Sequence, residues 1–403
     1  MKRIYHKFIT NHFKKYEKML FIMGPRQVGK TTQSMRFGDE GESFYFNWDD
    51  SADRSMIIQG THVVAKHIGL TEEVGIDKMI VFDEIHKFHD WKNFVKGFYD
   101  KYHSPTTKII VTGSAKLDTY RKGGDSIMGR YFKLRMHPIS VGEIVDDTLR
   151  ETEILTHSQE ISTETYNNLL QFGGFPEPFI ASDSQLYTLW QSTRDQQLLR
   201  EDVRDVTRVQ EISQLEVLAE FIRLQSGQLI SYSSFARKVR VSVDTIQRWI
   251  QVLQSLYFCF KIRPWTKNIS RTLLKEPKLY LWDWSPLKDR GALYENFIAS
   301  HLLKATHYWT DRGFGTYDLY FLRTKEKREV DFLVTKNEEP WFLVEAKASG
   351  RKNLSPQLEY FQKMIGAKHA FQVNCEMDYI DINCFEYEHP IIVPAKTFLS
   401  QLV

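Results

Sequence analysis

The chain has 403 residues, 42% of them hydrophobic and 26% charged, with a formal net charge of +3. It is too long for one ordinary core and too apolar for disorder, so roughly two to four globular domains are expected. Cys259, Cys375 and Cys384 have no metal-ligand spacing and cannot form an even disulfide framework, which points to a reducing, cytoplasmic address.

The opening MKRIYHKFITNHFKKYEK is basic but lacks the apolar core of a signal peptide, and no later run approaches the ~20 apolar residues of a membrane helix. Residues 19–23 (MLFIM) read as a buried strand running into Gly24-Pro25-Arg26-Gln27-Val28-Gly29-Lys30-Thr31-Thr32. Further strands are expected at 43–48, 79–82 and 108–112. Trp91, Phe94, Val95, Phe98, Tyr99 and Tyr102 recur at helical spacing between the last two. Strands alternating with helices imply a parallel α/β sheet. From about 143 the chain turns polar and helical, and its charges are mostly acidic up to 164. Around 233–256 two short helices with a turn suggest a helix-turn-helix, and the β-rich stretch from Tyr257 to Pro264 suggests a wing. The last segment reads as a helix near 291–304, strands at 317–323, 329–335 and 341–347, and a helix near 355–365.

The spacing Gly24-x4-Gly29-Lys30-Thr31 is that of a P-loop, between a strand and a helix. Backbone N–H groups wrap phosphates there, Lys30 brings a point charge to the β/γ oxygens, and the Thr31 hydroxyl reaches Mg²⁺. Asp83 ends an apolar strand, where a magnesium-linked carboxylate belongs, and Glu84 beside it can orient the attacking water. Ser114 ends the next strand, either as a sensor of the γ-phosphate or as an ordinary turn serine.

Together, GPRQVGKTT, IVFDEIHK, VTGSAKL and GGFPEP resemble a widespread prokaryotic AAA-type ATPase family with a C-terminal domain of unknown function. The resemblance spans essentially the whole chain. It implies an α/β fold made of an additional-strand P-loop core at 1–142, a helical lid at 143–225, a winged helix at 226–284 and a restriction-nuclease-like mixed α/β domain at 285–403. It also implies ATP and Mg²⁺ as ligands, and an arginine contributed to the nucleotide, often by a neighbouring subunit of a homo-oligomer. Arg130 resembles that arginine, with Arg121 and Arg135 as rivals, whereas Lys116 departs from the small polar residue expected in its loop.

In EVDFLV and WFLVEAK, Glu345 and Lys347 share a strand face that Asp331 on a neighbouring strand can meet. Two carboxylates can hold Mg²⁺ or Mn²⁺, while a lysine positions the water that attacks a phosphodiester. With Glu295 on the preceding helix, the set resembles a PD-(D/E)xK nuclease motif, and Gln357 is either a supporting residue or an exposed helix glutamine. Lys261, Arg263, Lys267, Arg271, Lys275 and Lys278 interleave with Phe258, Phe260 and Trp265, behind Arg237, Lys238, Arg240 and Arg248. That pattern suits nucleic acid, DNA ahead of RNA. Two functions stay open: an ATP-dependent enzyme with a metal-dependent nuclease domain, or an ATP-switched protein whose nuclease-like fold recognises nucleic acid or a protein partner without cutting.

Overall fold

A computed structural model describes residues 3–36, 42–70, 77–113, 127–206, 211–266, 276–348 and 353–403. The chain divides into two compact units, Met1–His137 and Pro138–Val403.

The first unit is built on five parallel strands: β1 (Met19–Met23), β2 (Glu42–Asn47), β3 (Lys78–Asp83), β4 (Thr107–Gly113) and β5 (Tyr131–Arg135). Their order is β2-β3-β4-β1-β5, so β4 lies between the P-loop strand and the strand that ends in Asp83. Every residue of β1 is buried, as its unbroken apolar sequence requires of a central parallel strand. The helix Trp91–Tyr102 buries Trp91, Phe94, Val95, Phe98 and Tyr99. Phe94 and Phe98 pack edge-to-face on Phe82 of β3. The basic opening forms the helix Ile4–Lys15, which buries Ile4, Tyr5, Phe8, Ile9 and His12 on one face.

The second unit carries a seven-stranded mixed sheet of order β12-β11-β10-β9-β8-β6-β7. Its strands are β6 (Cys259–Pro264), β7 (Lys278–Leu281), β8 (Tyr317–Arg323), β9 (Glu329–Lys336), β10 (Glu339–Lys347), β11 (His369–Asn374) and β12 (Ile391–Pro394). The helix Pro356–Ile365 seals one face through Leu358 and Phe361 against Val330, Leu333 and Leu343. The helices Tyr232–Val239 and Val243–Ser255 take Ser231 and Ser242 as N-caps. Arg240, at φ 62°, makes the turn between them.

The compact units do not coincide with the expected domain bounds. The first division falls after His137, not after residue 142, because the strip that follows is tied into the second unit. Lys304 of the helix Arg290–Asp311 buries its ammonium on Glu143 (2.5 Å) and Ser140 (2.7 Å), and Val141 N–H donates to His301 Nε2 (3.1 Å). The strand at the expected wing joins a larger sheet. β6 pairs antiparallel with β7 but also parallel with β8, through Arg263↔Tyr320 and Pro264↔Phe321. Segments 226–284 and 285–403 therefore share one sheet, and residues 143–225, 226–284 and 285–403 all lie in one compact unit. Among the described residues no helix is long and apolar enough to cross a membrane.

Candidate functional site

The P-loop leaves β1 at Met23 and makes its first turn against β5. A Cβ on Gly24 would lie 2.3 Å from the Met136 carbonyl oxygen, so only glycine fits. Gly29, at φ 97°, turns the chain into the helix Lys30–Met35. Lys30 is buried and folds its ammonium onto the loop's own Gly24 (3.0 Å) and Pro25 (2.8 Å) carbonyls. Thr31 Oγ1 donates to Asp83 Oδ2 at 2.8 Å, joining loop and acidic strand. Thr32 is exposed on the same helix.

Asp83 is buried at the end of β3 and is held by hydroxyls. Besides Thr31, Tyr45 of β2 donates to its Oδ2 at 2.5 Å and Thr112 of β4 donates to its Oδ1. Tyr45 was not singled out by sequence reasoning. Its signal is positional: on β2, next to β3, it sits two residues before Asn47, which is paired with Asp83. Burial first, and then the Asp83 carboxylate, holds the Tyr45 phenol well above its ordinary range, so it stays a donor.

Glu84 sits at φ 53°, a left-handed conformation that a glutamate rarely adopts. Burial pushes its carboxyl upward; Lys30 pulls it back down, the Asp83 charge raises it further, and Lys87 and Arg26 also lower it. Its Oε2 is buried without a hydrogen bond, 3.6 Å from His86 Nε2 and 3.9 Å from Lys87 Nζ. The carboxyl thus keeps an oxygen with no hydrogen bond. The hard oxygen donors Thr31 and Asp83 fit a magnesium ion, which prefers a few such ligands plus water and phosphate. Ser114, Lys116 and Arg121 lie outside the described residues. Arg130 precedes β5, whose register with β1 sets Tyr131 beside Met19 and Arg135 beside Met23. Arg130 is therefore at the opposite end of the sheet from its own P-loop, and its guanidinium is paired with Asp100 at 2.5 Å.

The second constellation lies on β9 and β10. Their antiparallel register pairs Val344 with Phe332, so the next step sets Glu345 opposite Asp331. Ala346 N–H donates to Asp331 Oδ2 (2.9 Å), and Lys347 Nζ lies 2.5 Å from Glu345 Oε1. Glu345 Oε2 is buried without a hydrogen bond. Asp331, Glu345 and Lys347 are thus brought together, as their spacing predicted. Glu295, on the helix Arg290–Asp311, reaches the same neighbourhood but accepts from Tyr280 (2.7 Å) and Lys278 (3.1 Å). Lys278 also lies 2.6 Å from Glu329, which pairs in turn with Arg323. Burial, followed by the Glu295 charge, pushes the Asp331 carboxyl up to about 7, against the pull of Lys278. Burial alone would lower the Lys278 ammonium, but Glu295, Asp331 and Glu329 together hold it above its ordinary range.

Glu295 and Glu345 are paired with lysines where a divalent ion was expected. Among the described residues no three His, Cys, Asp or Glu side chains converge as a metal site, and Glu295 is turned to a lysine and a phenol. Lys278, expected to lie along phosphates, is the buried cation of the carboxylate group, and Phe258 and Phe260 are core. Lys267, Arg271 and Lys275 lie outside the described residues, while Arg237, Lys238, Arg240 and Arg248 are exposed on the helix pair. Gln357 Oε1 is buried without a hydrogen bond.

Comparison with known proteins gives three spans, which do not coincide with the two compact units. Residues 16–145 match the family described as AAA domain, and residues 163–289 and 290–395 match two families each described as a domain of unknown function. An uncharacterized protein of Mycobacterium tuberculosis is 21% identical over 338 residues, 80% of this chain and 69% of its own. An uncharacterized protein of Methanocaldococcus jannaschii is 22% identical over 344 residues, 79% of this chain and 72% of its own. Among solved structures, a Walker-type ATPase of Pyrococcus abyssi is 12% identical, with a TM-score of 0.46 over 70% of this chain and 93% of that one.

Proposed function

From the premise that the first unit has an AAA-type P-loop ATPase core, we propose that the chain hydrolyses ATP and uses the nucleotide state to govern nucleic-acid recognition by the second unit. The observation that carries the ATPase reading is the join of Thr31 to Asp83 beside a half-buried Glu84 whose Oε2 accepts no hydrogen bond. Phosphates settle on the loop's N–H groups, and Lys30 exchanges the Gly24 and Pro25 carbonyls for the β/γ oxygens. Thr31 and Asp83 hold magnesium, which when bound neutralises charge on the phosphate oxygens. Glu84, deprotonated, orients the attacking water and takes its proton. Nucleotide titration and ATP turnover of the wild type against Lys30→Ala test this; equal binding by both proteins would overturn it.

Because Arg130 lies away from its own P-loop, it reaches a nucleotide only from a neighbouring copy. Specific ATPase activity should then rise with protein concentration, and mixing Arg130→Ala with Lys30→Ala protein should restore turnover. Flat activity on dilution, without rescue, removes the trans role.

Between cutting and binding, we favour binding. Lys278 is a cation already resident among Glu295, Glu329 and Asp331. The exposed Arg237, Lys238, Arg240 and Arg248 supply phosphate contacts, with DNA ahead of RNA. Affinity should fall steeply with salt as condensed counterions are released. The nuclease reading returns if plasmid, single-stranded DNA or RNA is cut with Mg²⁺ or Mn²⁺, with or without ATP, and Asp331→Ala abolishes the cutting.

A further inference from the structure

We infer that Arg3, in the basic opening that the ATPase reading leaves unused, is a positioning residue that orients the phosphate loop. The inference rests on the P-loop being a nucleotide site. Arg3 lies thirteen positions before the segment that matches the AAA domain, which starts at residue 16.

Arg3 is buried, at 4% exposure, just before the helix Ile4–Lys15. Its Nη1 donates to the Val28 carbonyl oxygen at 3.0 Å and its Nη2 to the His137 carbonyl oxygen at 2.8 Å. Val28 immediately precedes Gly29, the residue that turns the loop into its helix. The Val28 carbonyl and the Gly29 N–H belong to one planar trans peptide, and no peptide in the described chain is cis. They must point in opposite directions. Fixing the oxygen against Arg3 therefore fixes the amide on the other side, and Gly29 is one of the residues whose N–H groups cradle phosphate in a P-loop. A charged donor on the carbonyl also polarises its peptide and strengthens the Gly29 N–H as a donor.

The guanidinium suits this task better than an ammonium. Its planar fork spans two carbonyls in fixed geometry, so the loop is braced against the backbone that follows β5. Tyr5 offers an internal control. Its hydroxyl accepts from the His137 N–H at 2.9 Å and its ring lies under the Arg3 guanidinium, so Tyr5→Phe removes the hydroxyl anchor to the same residue while keeping the ring beside Arg3.

The test uses the full chain as Arg3→Ala, Arg3→Lys and Tyr5→Phe. Two readouts are followed: amide hydrogen exchange of Gly24–Thr31 without nucleotide, and affinity for a fluorescent ATP analogue. Arg3→Ala should expose the loop amides to exchange and weaken nucleotide binding by about 10- to 100-fold, the worth of a hydrogen bond from a charged group. Millimolar guanidinium should restore both properties in Arg3→Ala and should not help Lys30→Ala. Tyr5→Phe should leave both near wild type, and Arg3→Lys should fall between. Loop protection unchanged in Arg3→Ala, or lost equally in Tyr5→Phe, would overturn the inference. If Arg3→Ala fails to fold, Arg3→Lys with added guanidinium carries the same test. Because exchange is read without nucleotide, a wild type that binds no ATP would sink the ATPase reading and leave the brace to be judged on loop protection.

Discussion

The two carboxylate sites of this chain solve one problem in opposite ways. At the P-loop, Asp83 is buried and held by three hydroxyls, from Thr31, Tyr45 and Thr112. In the second unit, Glu295 and Glu329 are held by the Lys278 ammonium beside Asp331, and Glu345 by the Lys347 ammonium. Neutral donors satisfy lone pairs but leave the negative charge in place, so an incoming cation still finds something to bind. Ammonium groups bring a cancelling charge, although Glu345 Oε2 keeps no hydrogen bond. The first site therefore keeps a charge for a magnesium–nucleotide complex, whereas the second already carries cations among its carboxylates. The nearness of acidic residues, which made both look alike in sequence, does not distinguish them; the charge of their partners does.

The comparison breaks most visibly at Lys278. Lys278→Met keeps much of the side-chain volume but strands Glu295 and Glu329 beside Asp331, and losing one partner of a buried ionic group costs about 3 kcal/mol or more. Urea unfolding should register that loss. The variant should also gain what the wild type lacks, a rise in melting temperature on adding Mn²⁺ or Mg²⁺. A wild type stabilised by these ions through Asp331, with no change in Lys278→Met, would show that the lysine is not the resident cation.

At the P-loop, Glu84→Gln should slow ATP turnover by roughly 100-fold or more while leaving nucleotide affinity nearly intact, since a general base contributes about that much. The wild-type rate should rise with pH through an inflection above the ordinary carboxylate range, because burial holds the Glu84 proton on and the base works only once it is lost. The Gln variant should lose that inflection. Equal loss of binding and turnover would assign Glu84 to holding nucleotide instead.

Much of this was legible in the sequence. A P-loop is a local arrangement of glycines, lysine and threonine on one strand–loop–helix, so its residues could be named from spacing alone. Asp331, Glu345 and Lys347 were likewise legible, because a strand's period of two fixes which side chains share a face. What escaped came from residues distant in sequence. Tyr45 reaches Asp83 across 38 positions, and Lys278 reaches Glu329 from the far end of a sheet whose order no local pattern reveals. The same ignorance of sheet order hid the pairing of β6 with β8: buried Phe260 and exposed Arg248 read alike as a basic, aromatic surface until the sheet claims the first.

Titration sharpens the comparison next. The Asp331 carboxyl is pushed up to about 7, well above the ~3.9 of an unfolded aspartate. Between those values the folded chain holds a proton that the unfolded chain has lost, so this group's stabilisation is full below the ordinary value and is lost as pH rises toward 7. Asp331→Asn keeps an acceptor for the Ala346 N–H and removes the titration. His301 acts oppositely: burial holds it near 3, so its contribution is lost as pH falls. Because His301 is common to both proteins, it cancels in the difference. Unfolding free energies of wild type and Asp331→Asn should thus diverge as pH rises from about 4 to 7, with the variant gaining. Parallel curves would mean that Asp331 is ionised throughout and that Lys278 outweighs its burial.

The smallest effect expected is at Tyr45, and it bears on the P-loop half of the contrast. Tyr45→Phe removes one neutral donor from Asp83 Oδ2, the oxygen that also accepts from Thr31. Thr31 and Thr112 remain, so the folded state should lose no more than about 1.5–3 kcal/mol, the worth of a hydrogen bond to a charged group. A carboxylate with one donor fewer is a better cation ligand, because its charge was never cancelled and a lone pair has been returned to it. The Mg²⁺ concentration that half-saturates ATP turnover should therefore fall in Tyr45→Phe, even though the protein is less stable. If Tyr45 instead holds Asp83 in the only orientation that can serve the ion, the same substitution raises that concentration. A rise would mean that the hydroxyls aim the carboxylate as well as satisfy it, and that the phenol belongs to the magnesium site and does not compete with it.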